Sequence, residues 1–542
     1  MATIFVAQNA TAVDIVLTDT NAVELGSESL DYDIYSTFSS GNPKIGVADG
    51  TYDVGSITLK AAGLQVPGEP EGTLSTNPAD VLLYGNFNFD INRTEGEKVI
   101  LDNQSVRRFN FQSGATLTIS NSATTTDKKA VAVIDLGTGD ATARSLMMQQ
   151  NVKITFKTDG RIDSDPIKAS TWYPVYVFGD GSMLAVENAS TLTITTNTRL
   201  GDGIRNPTIS VTDGSTISMR NFFDAYSGNI VVDETSKFQI KHSSRFGEQE
   251  ADVDAKQKPL VATINGVFDM DSKVEIYNTA SFVVKNFEHA YGSMLAVSGS
   301  FEVQNVTTFA NTTIKDKGIV KQTVGATTNI ERSFVVENGG TFSTSATKVE
   351  LKSGDYLANA GRWAYIQIDE GGSFNIDGSD ARIVMNTGEL ILNKANAITK
   401  SDGSLVRIVS SKESKKNEIR VNASQKFSQI FANGANIEYY LGEDESITFS
   451  TSFEVADAKH IFYNFGENRI FVANAKKYDS AESINSAFEA YQTIDGEEVK
   501  ISQLYINNGW LSAIAPAIPE PAEWAMIFGA IALGLAVYRK RK

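Results

Sequence analysis

One short phrase recurs through the middle of this chain and limits what it can fold into. Two apolar positions separated by one residue are followed, two places on, by asparagine. The phrase occurs at Leu117-Ile119-Asn121, Leu184-Val186-Asn188, Ile217-Met219-Asn221 and Val274-Ile276-Asn278. It returns at Phe282-Val284-Asn286, Phe301-Val303-Asn305 and Phe334-Val336-Asn338, with looser copies at Leu192-Ile194, Phe238-Ile240, Val349-Leu351 and Phe374-Ile376. Alternation with period two puts the apolar pair on one face and Thr, Ser, Glu or Lys on the other, which describes a strand buried on one side. Gly114, Gly214, Gly266, Gly299, Gly340 and Gly372 stand just before such strands. Glycine and asparagine there suit turns, because both tolerate positive φ.

The hexapeptide Gly181-Ser182-Met183-Leu184-Ala185-Val186 recurs letter for letter as Gly292-Ser293-Met294-Leu295-Ala296-Val297. Neighbouring phrases are unevenly spaced: Asn188 to Asn221 is 33 residues, Asn286 to Asn305 is 19, and Asn305 to Asn338 is again 33. Coils of roughly 20–29 residues with loops of variable length at one corner account for such intervals. A propeller needs a steadier period. The expected fold is therefore all-β: a parallel β-helix (β-solenoid), right-handed by the usual crossover preference, with Asn ladders at its corners. Several separate antiparallel sandwiches are the alternative.

Residues 51–404 are assigned to the solenoid, 1–50 to N-terminal cap strands and 405–512 to a β-rich cap or small domain. The last region carries the charged stretch Lys412–Glu418 and the aromatic strands Ile437–Tyr440, His460–Tyr463 and Arg469–Val472. A cap there protects an open edge from pairing with other chains. One short helix is expected, from Ser480 through Gln492. Residues 513–518 read as a tether.

Composition narrows the function classes. Formal net charge is −17, and with the four C-terminal cations set aside 44 basic residues face 65 acidic ones. No basic stripe interrupts that excess, which argues against nucleic-acid binding. The chain has no cysteine, so disulfides and thiol chemistry are excluded. His242, His289 and His460 are too far apart in sequence for metal-ligand spacing. No Gly-x-Ser-x-Gly elbow, phosphate loop or zinc helix occurs, and no cofactor is expected.

The far C-terminus has a different texture. Pro519-Glu520-Pro521 is followed by an uncharged stretch from Trp524 to Tyr538 and then by Arg539-Lys540-Arg541-Lys542. A helix over 522–538 is at the short end of the roughly 17–25 residues that span a bilayer. The basic cluster stays on the cytoplasmic side, because such flanks resist translocation. Everything before Pro519 is then expected outside the cytoplasm. This order of parts resembles the PEP-CTERM sorting signal of Gram-negative bacteria over residues 519–542. The resemblance implies recognition by an exosortase, transient anchoring in the inner membrane, removal of the tail, and delivery to the cell surface or extracellular matrix. An ordinary C-terminal anchor is the alternative. Met1–Ala7 lacks the basic and apolar segments of a secretory signal, so an export signal is expected upstream of Met1 or behind a misassigned start codon.

Several residue groups have the chemistry of candidate sites. Gly201-Asp202-Gly203-Ile204-Arg205-Asn206 has the look of a catalytic groove segment, yet the chain has no Asp-Asp pair and no Gly-His-Gly. Asp159, Asp163 and Asp165, Asp269 with Asp271, and Asp377 with Asp380 could gather round a hard cation, although none has a full calcium-loop spacing. Trp172-Tyr173 with Tyr176 is the most aromatic short stretch and could stack on sugars. Asn92, Asn103, Asn188, Asn305, Asn311 and Asn422 stand in Asn-x-Ser/Thr triplets. The expected function is non-enzymatic: an exported envelope or matrix protein with a structural or adhesive role, in contact with extracellular polysaccharide. A secreted polysaccharide lyase or hydrolase and a plain glycan-binding module are the rivals.

Overall fold

The computed structural model describes residues 80–515 except 104–107, 124–128, 138–144, 165–172, 249–255, 306–307, 324–326, 354–362, 413 and 415, with backbone strands between residues 11 and 59. Two compact units are present: residues 1–381 with 398–403, and residues 382–397 with 404–542. Both are built from parallel strands. The sorting residues Pro519, Glu520, Pro521, Trp524, Arg539, Lys540, Arg541 and Lys542, and the expected helix over 522–538, lie outside the described residues. No helix among the described residues is long and apolar enough to cross a membrane.

In the first unit the chain winds into coils of three short strands. One coil consists of Met183–Val186, Thr191–Ile194 and Thr198–Leu200. The next consists of Thr208–Val211, Thr216–Met219 and Phe223–Ala225. Corresponding strands pair in parallel, so that Leu184 lies beside Ile209, Ile194 beside Met219 and Leu200 beside Ala225. Three walls result, called first, second and third in chain order. On the first wall one inward column runs in register through Leu184, Ile209, Ile230, Ala262, Phe282 and Phe301, each no more than 1% exposed. Pairings of the same kind extend that column from Phe87 to Ile398. The strands between residues 11 and 59 also pair in parallel.

The phrase read from sequence is the inward face of these strands, but it does not mark one wall. Leu184, Phe282 and Phe301 belong to the first wall, Ile217 to the second, and Val274 and Phe334 to the third. The 33-residue intervals therefore run from one wall to another, and are not coil lengths. True coil steps on the first wall are 21 residues from Thr208 to Asn229, 19 from Ser281 to Ser300, and 32 from Asn229 to Val261. Extra chain does not leave from a single corner. It intervenes between the second and third walls at 138–144, 165–172 and 354–362, and between the third and first at 249–255.

Two expectations about corner residues change. Gly214 does take the left-handed region, with φ of +74°. Gly266 does not; a Cβ there would sit 1.9 Å from the Ser236 carbonyl oxygen of the preceding coil, so close approach of backbones requires it. The asparagines mostly bond backbone of the neighbouring coil: Asn188 Nδ2 donates to the Lys157 carbonyl at 3.0 Å and Asn286 Nδ2 to that of Gly266 at 3.3 Å. A side-chain ladder step links Asn305 to Asn286 at 3.3 Å. Bonds to carbonyls satisfy groups that the short strands leave unpaired.

Phenylalanine fills the middle of this core. Ring centroids lie 6.3 Å apart for Phe282 and Phe301, 4.8 Å for Phe334 and Phe342, and 4.7 Å for Phe342 and Phe374. Offset and edge contacts of this kind add to the burial itself. One polar knot interrupts it: the side-chain amide oxygen Oε1 of Gln322 accepts from the Thr344 hydroxyl at 2.7 Å and also from that of Thr328, all three fully buried.

The second unit stacks Gly388–Leu392, Asn417–Val421, Ile437–Leu441, His460–Tyr463 and Phe488–Ile494 in parallel. A second ladder joins Arg407–Ser410, Gln425–Asn433, Ile447–Ala456 and Ile470–Val472. Among the described residues antiparallel pairing is found where Glu497–Lys500 meets Phe488–Ile494 and where Trp510–Ser512 meets Ile470–Val472 and Tyr505–Asn507. The expected helix is shorter than its sequence pattern. It covers Ala481–Ala487 behind a Ser480/Ser483 capping box, and ends where Phe488 and Ala490 turn inward beside His460 and Phe462.

Candidate functional site

The outer surface of the first unit offers three walls of different chemistry. Along the first wall the outward pairs in successive coils are Met183 and Ala185, Thr208 and Ser210, Asn229 and Val231, Val261 and Thr263, and Ser281 and Val283. None is charged. At its edge a groove of about 570 Å³ is lined by residues including Pro259, Ala280, Ser281, Gly299, Ser300 and Ile319.

The second wall is an ion-pair lattice. Lys237 Nζ lies 2.7 Å from Asp269 and 2.9 Å from Glu288, while Gln239 donates to Asp269 at 2.6 Å. Burial raises the Asp269 carboxyl, but the Lys237 and Gln239 bonds and the Lys237 and Lys241 charges outweigh it, and the net shift is downward. Arg161 bridges Glu97 at 2.5 Å and also meets Asp163.

On the third wall the outward positions Tyr176, Arg199, Asp224, Arg245 and Glu275 lie side by side. Asp224 is 1% exposed. It accepts from Arg245 Nε at 3.0 Å and from the Tyr173 hydroxyl. Burial, reinforced by Asp224, holds the Tyr173 phenol well above its usual range. Tyr173 is therefore set as a donor and not as a base. The Arg199 guanidinium lies 4.2 Å from the Tyr226 ring centroid, and Arg205 lies 5.0 Å from that of Phe178. Arg205 also pairs with Asp202 at 2.9 Å.

Thus the two segments singled out in the sequence, Trp172–Tyr176 and Gly201–Asn206, flank one aromatic and guanidinium cluster; Trp172 itself lies outside the described residues. Arg199, Asp224 and Arg245 were missed. They sit 21 to 25 residues apart as the middle letters of Thr198–Leu200, Phe223–Ala225 and Ser244–Phe246, and only coil register makes them neighbours.

The carboxylates considered for a hard cation are engaged elsewhere. Asp159 accepts from the Thr191 amide at 2.7 Å, Asp163 from the Thr195 hydroxyl at 2.7 Å, and Asp377 from the Ser401 amide at 2.7 Å. Asp271 pairs with Lys241, and Asp165 lies outside the described residues. Among the described residues no group of His, Asp and Glu is arranged to hold a metal ion.

His460 is a strand residue, fully buried. Its Nε2 faces the Glu454 carbonyl at 3.0 Å and therefore donates, leaving Nδ1 to accept from the Tyr439 hydroxyl at 2.9 Å. Burial pushes its pKa down to about 3, and that of His289 to about 4. His242 packs edge-on against Phe222 at 4.4 Å. The Asn188, Asn305, Asn311 and Asn422 side-chain amides are each committed to bonds between coils. No family model, no curated protein and no solved structure matches this chain.

Proposed function

We propose that the chain is an exported scaffold or adhesin of the cell envelope or extracellular matrix, carried there by the PEP-CTERM-like tail of residues 519–542. In this reading the segment 522–538 is a transient helix in the inner membrane, an exosortase removes it near Pro519-Glu520-Pro521, and the coils wind right-handed. The observation that carries the scaffold role is the in-register column from Phe87 to Ile398. Such a stack distributes stability over many neighbour contacts and presents long outer walls. An acidic surface without basic stripes suits that setting. Fractionating cells and weighing the mature C-terminus tests the delivery step. Intact Lys542 on a cytosolic protein would overturn it.

A secreted polysaccharide lyase or hydrolase is the second reading, favoured by one observation: Asp224 and Arg245 converge with Tyr173 on the third wall. Against it stands the commitment of Asp224 to both partners. Incubating the protein with acidic and neutral polysaccharides, with and without calcium, separates the two. New reducing ends or unsaturated products would favour the enzyme.

A further inference from the structure

We infer that the stacked tyrosines of the second unit, Tyr440, Tyr463 and Tyr491, are a site of oxidative cross-linking, where a peroxide-driven one-electron oxidant joins neighbouring coils through a dityrosine bond. This does not depend on the export reading, which fractionation tests separately. The ring centroids of Tyr440 and Tyr463 lie 4.7 Å apart with planes 8° from parallel, and those of Tyr463 and Tyr491 lie 5.1 Å apart at 15°. Register enforces the stack. Tyr440 pairs with Tyr463, and Phe462 pairs with Ala490, so Tyr491 follows as the third ring. In-register parallel strands repeat about every 4.8 Å, which sets like side chains face to face. By contrast, Tyr173 and Tyr176 meet edge-on, 6.1 Å apart at 75°, and Tyr173 is buried. The three stacked rings are each partly exposed, which admits a small oxidant and leaves room to tilt from stacked into bonding contact.

Charge singles out the middle ring. The Arg420 guanidinium lies 4.9 Å from the Tyr440 ring centroid and the Lys500 ammonium 5.9 Å from that of Tyr491. A cation held over a ring face opposes loss of an electron from it. Tyr463 has no such cation among the described residues, feels the Glu438, Glu498 and Glu489 charges instead, and has a partner on each face. Burial, reinforced by neighbouring carboxylates, keeps the Tyr440 and Tyr463 phenols protonated, and the bond to Glu489 does so for Tyr491. Electron and proton must then leave together, and acceptors for the proton are in place: Tyr440 donates to Glu438 at 3.3 Å and Tyr491 donates to Glu489. Each of two phenols loses one electron and one proton. The phenoxyl radicals join through ring carbons ortho to oxygen, and the displaced ortho hydrogens return to the oxygens to restore both phenols. Two hydrogens leave the protein in all, and one hydrogen peroxide becomes two waters. Contact between the rings makes the coupling intramolecular, which removes the cost of bringing two radicals together. The chain has no cysteine, so a carbon–carbon bond here ties coils that no disulfide can.

The test treats the full chain, in dilute solution, with hydrogen peroxide and a haem peroxidase, and maps tryptic peptides by mass spectrometry. Lys459, Arg469 and Lys477 fall between the three tyrosines, so each lies on its own peptide. Peptides joined through Tyr440 and Tyr463, or through Tyr463 and Tyr491, are expected from the monomer, two hydrogens lighter than their sum and with dityrosine fluorescence. Their yield should not depend on protein concentration. Tyr463→Phe keeps the stack and should leave the thermal midpoint of the unoxidised protein in place. It should nevertheless lower the yield of joined peptides at least tenfold, because Tyr440 and Tyr491 are then two strand spacings of about 4.8 Å apart. Tyr440→Phe should spare the link between Tyr463 and Tyr491. Unfolding in urea before oxidation should abolish the preference for Tyr463. Links that form only between molecules, that persist undiminished in Tyr463→Phe, or that show the same pattern in urea would overturn the inference. So would oxidation that stops at single modified tyrosines with no joined peptides.

Discussion

Two segments with identical letters, Gly181–Val186 and Gly292–Val297, end up on different walls. Met183–Val186 pairs with Lys153–Phe156 and Thr208–Val211 on the first wall, whereas Met294–Val297 pairs with Lys273–Ile276 and Asn311–Ile314 on the third. Their serine turns match, since Ser182 donates to the Gly179 carbonyl at 2.7 Å and Ser293 to that of Ala290 at 2.6 Å, although Gly181 takes the left-handed region with φ of +69° and Gly292 does not. Leu184 and Leu295 both point inward, each 1% exposed. The difference is outside. Ala185 is 1% exposed beside the equally shielded Thr155, while Met294 is 52% exposed and Ala296 is half-buried. The phrase dictates which side chains go in. It does not dictate which wall they line or what lies over their backs.

The sharpest challenge to that equivalence is on the inner face. Leu184→Ala and Leu295→Ala should each cost about 2–5 kcal/mol, with denaturant midpoints falling by similar amounts; a near-neutral result at either would break the comparison. A second contrast sets His289 against His460, both held neutral by burial. Their folded pKa values, about 4 and about 3, lie below the ordinary 6.5. The unfolded chain then binds more protons, so stability is complete above about pH 6.5 and declines as pH falls toward the folded values. Thermal midpoints measured from pH 7.5 to 4.5 should fall, and His460→Gln should flatten the slope. On the outer face, Ala185→Glu should cost about 1–3 kcal/mol because it pushes a carboxylate into a shielded place, while Ala296→Glu stays within about 0.5 kcal/mol. Equal effects at the two alanines would erase the distinction. The smallest effect is expected at the exposed pair Lys285 and Glu234, 3.1 Å apart. Lys285→Ala should shift stability by less than about 1 kcal/mol and less still at high salt.

Strand identity and inward residues were legible because burial on one side imposes period two, and that pattern survives in single letters. Wall assignment was not, because all three walls impose the same period. Coil length was misread for the same reason: Asn188 and Asn221 mark neighbouring coils on different walls. The cluster of Tyr173, Asp224 and Arg245 was half visible, through its aromatic member alone, since its charged members are ordinary outward residues until register unites them. The end of the helix at Ala487 was hidden by helix-compatible letters at Phe488 and Ala490, which tertiary stacking claims for a strand.

The Asn188 and Asn286 amides clasp carbonyls of the preceding coil, and the backbone ladders of the first unit join each coil only to adjacent ones. Damage in such a material stays local. A protease that nicks one corner severs a single covalent thread while the lateral seams on both sides hold. Wear then proceeds turn by turn from an exposed end, and a shortened remnant keeps the same surface pattern as the piece it lost.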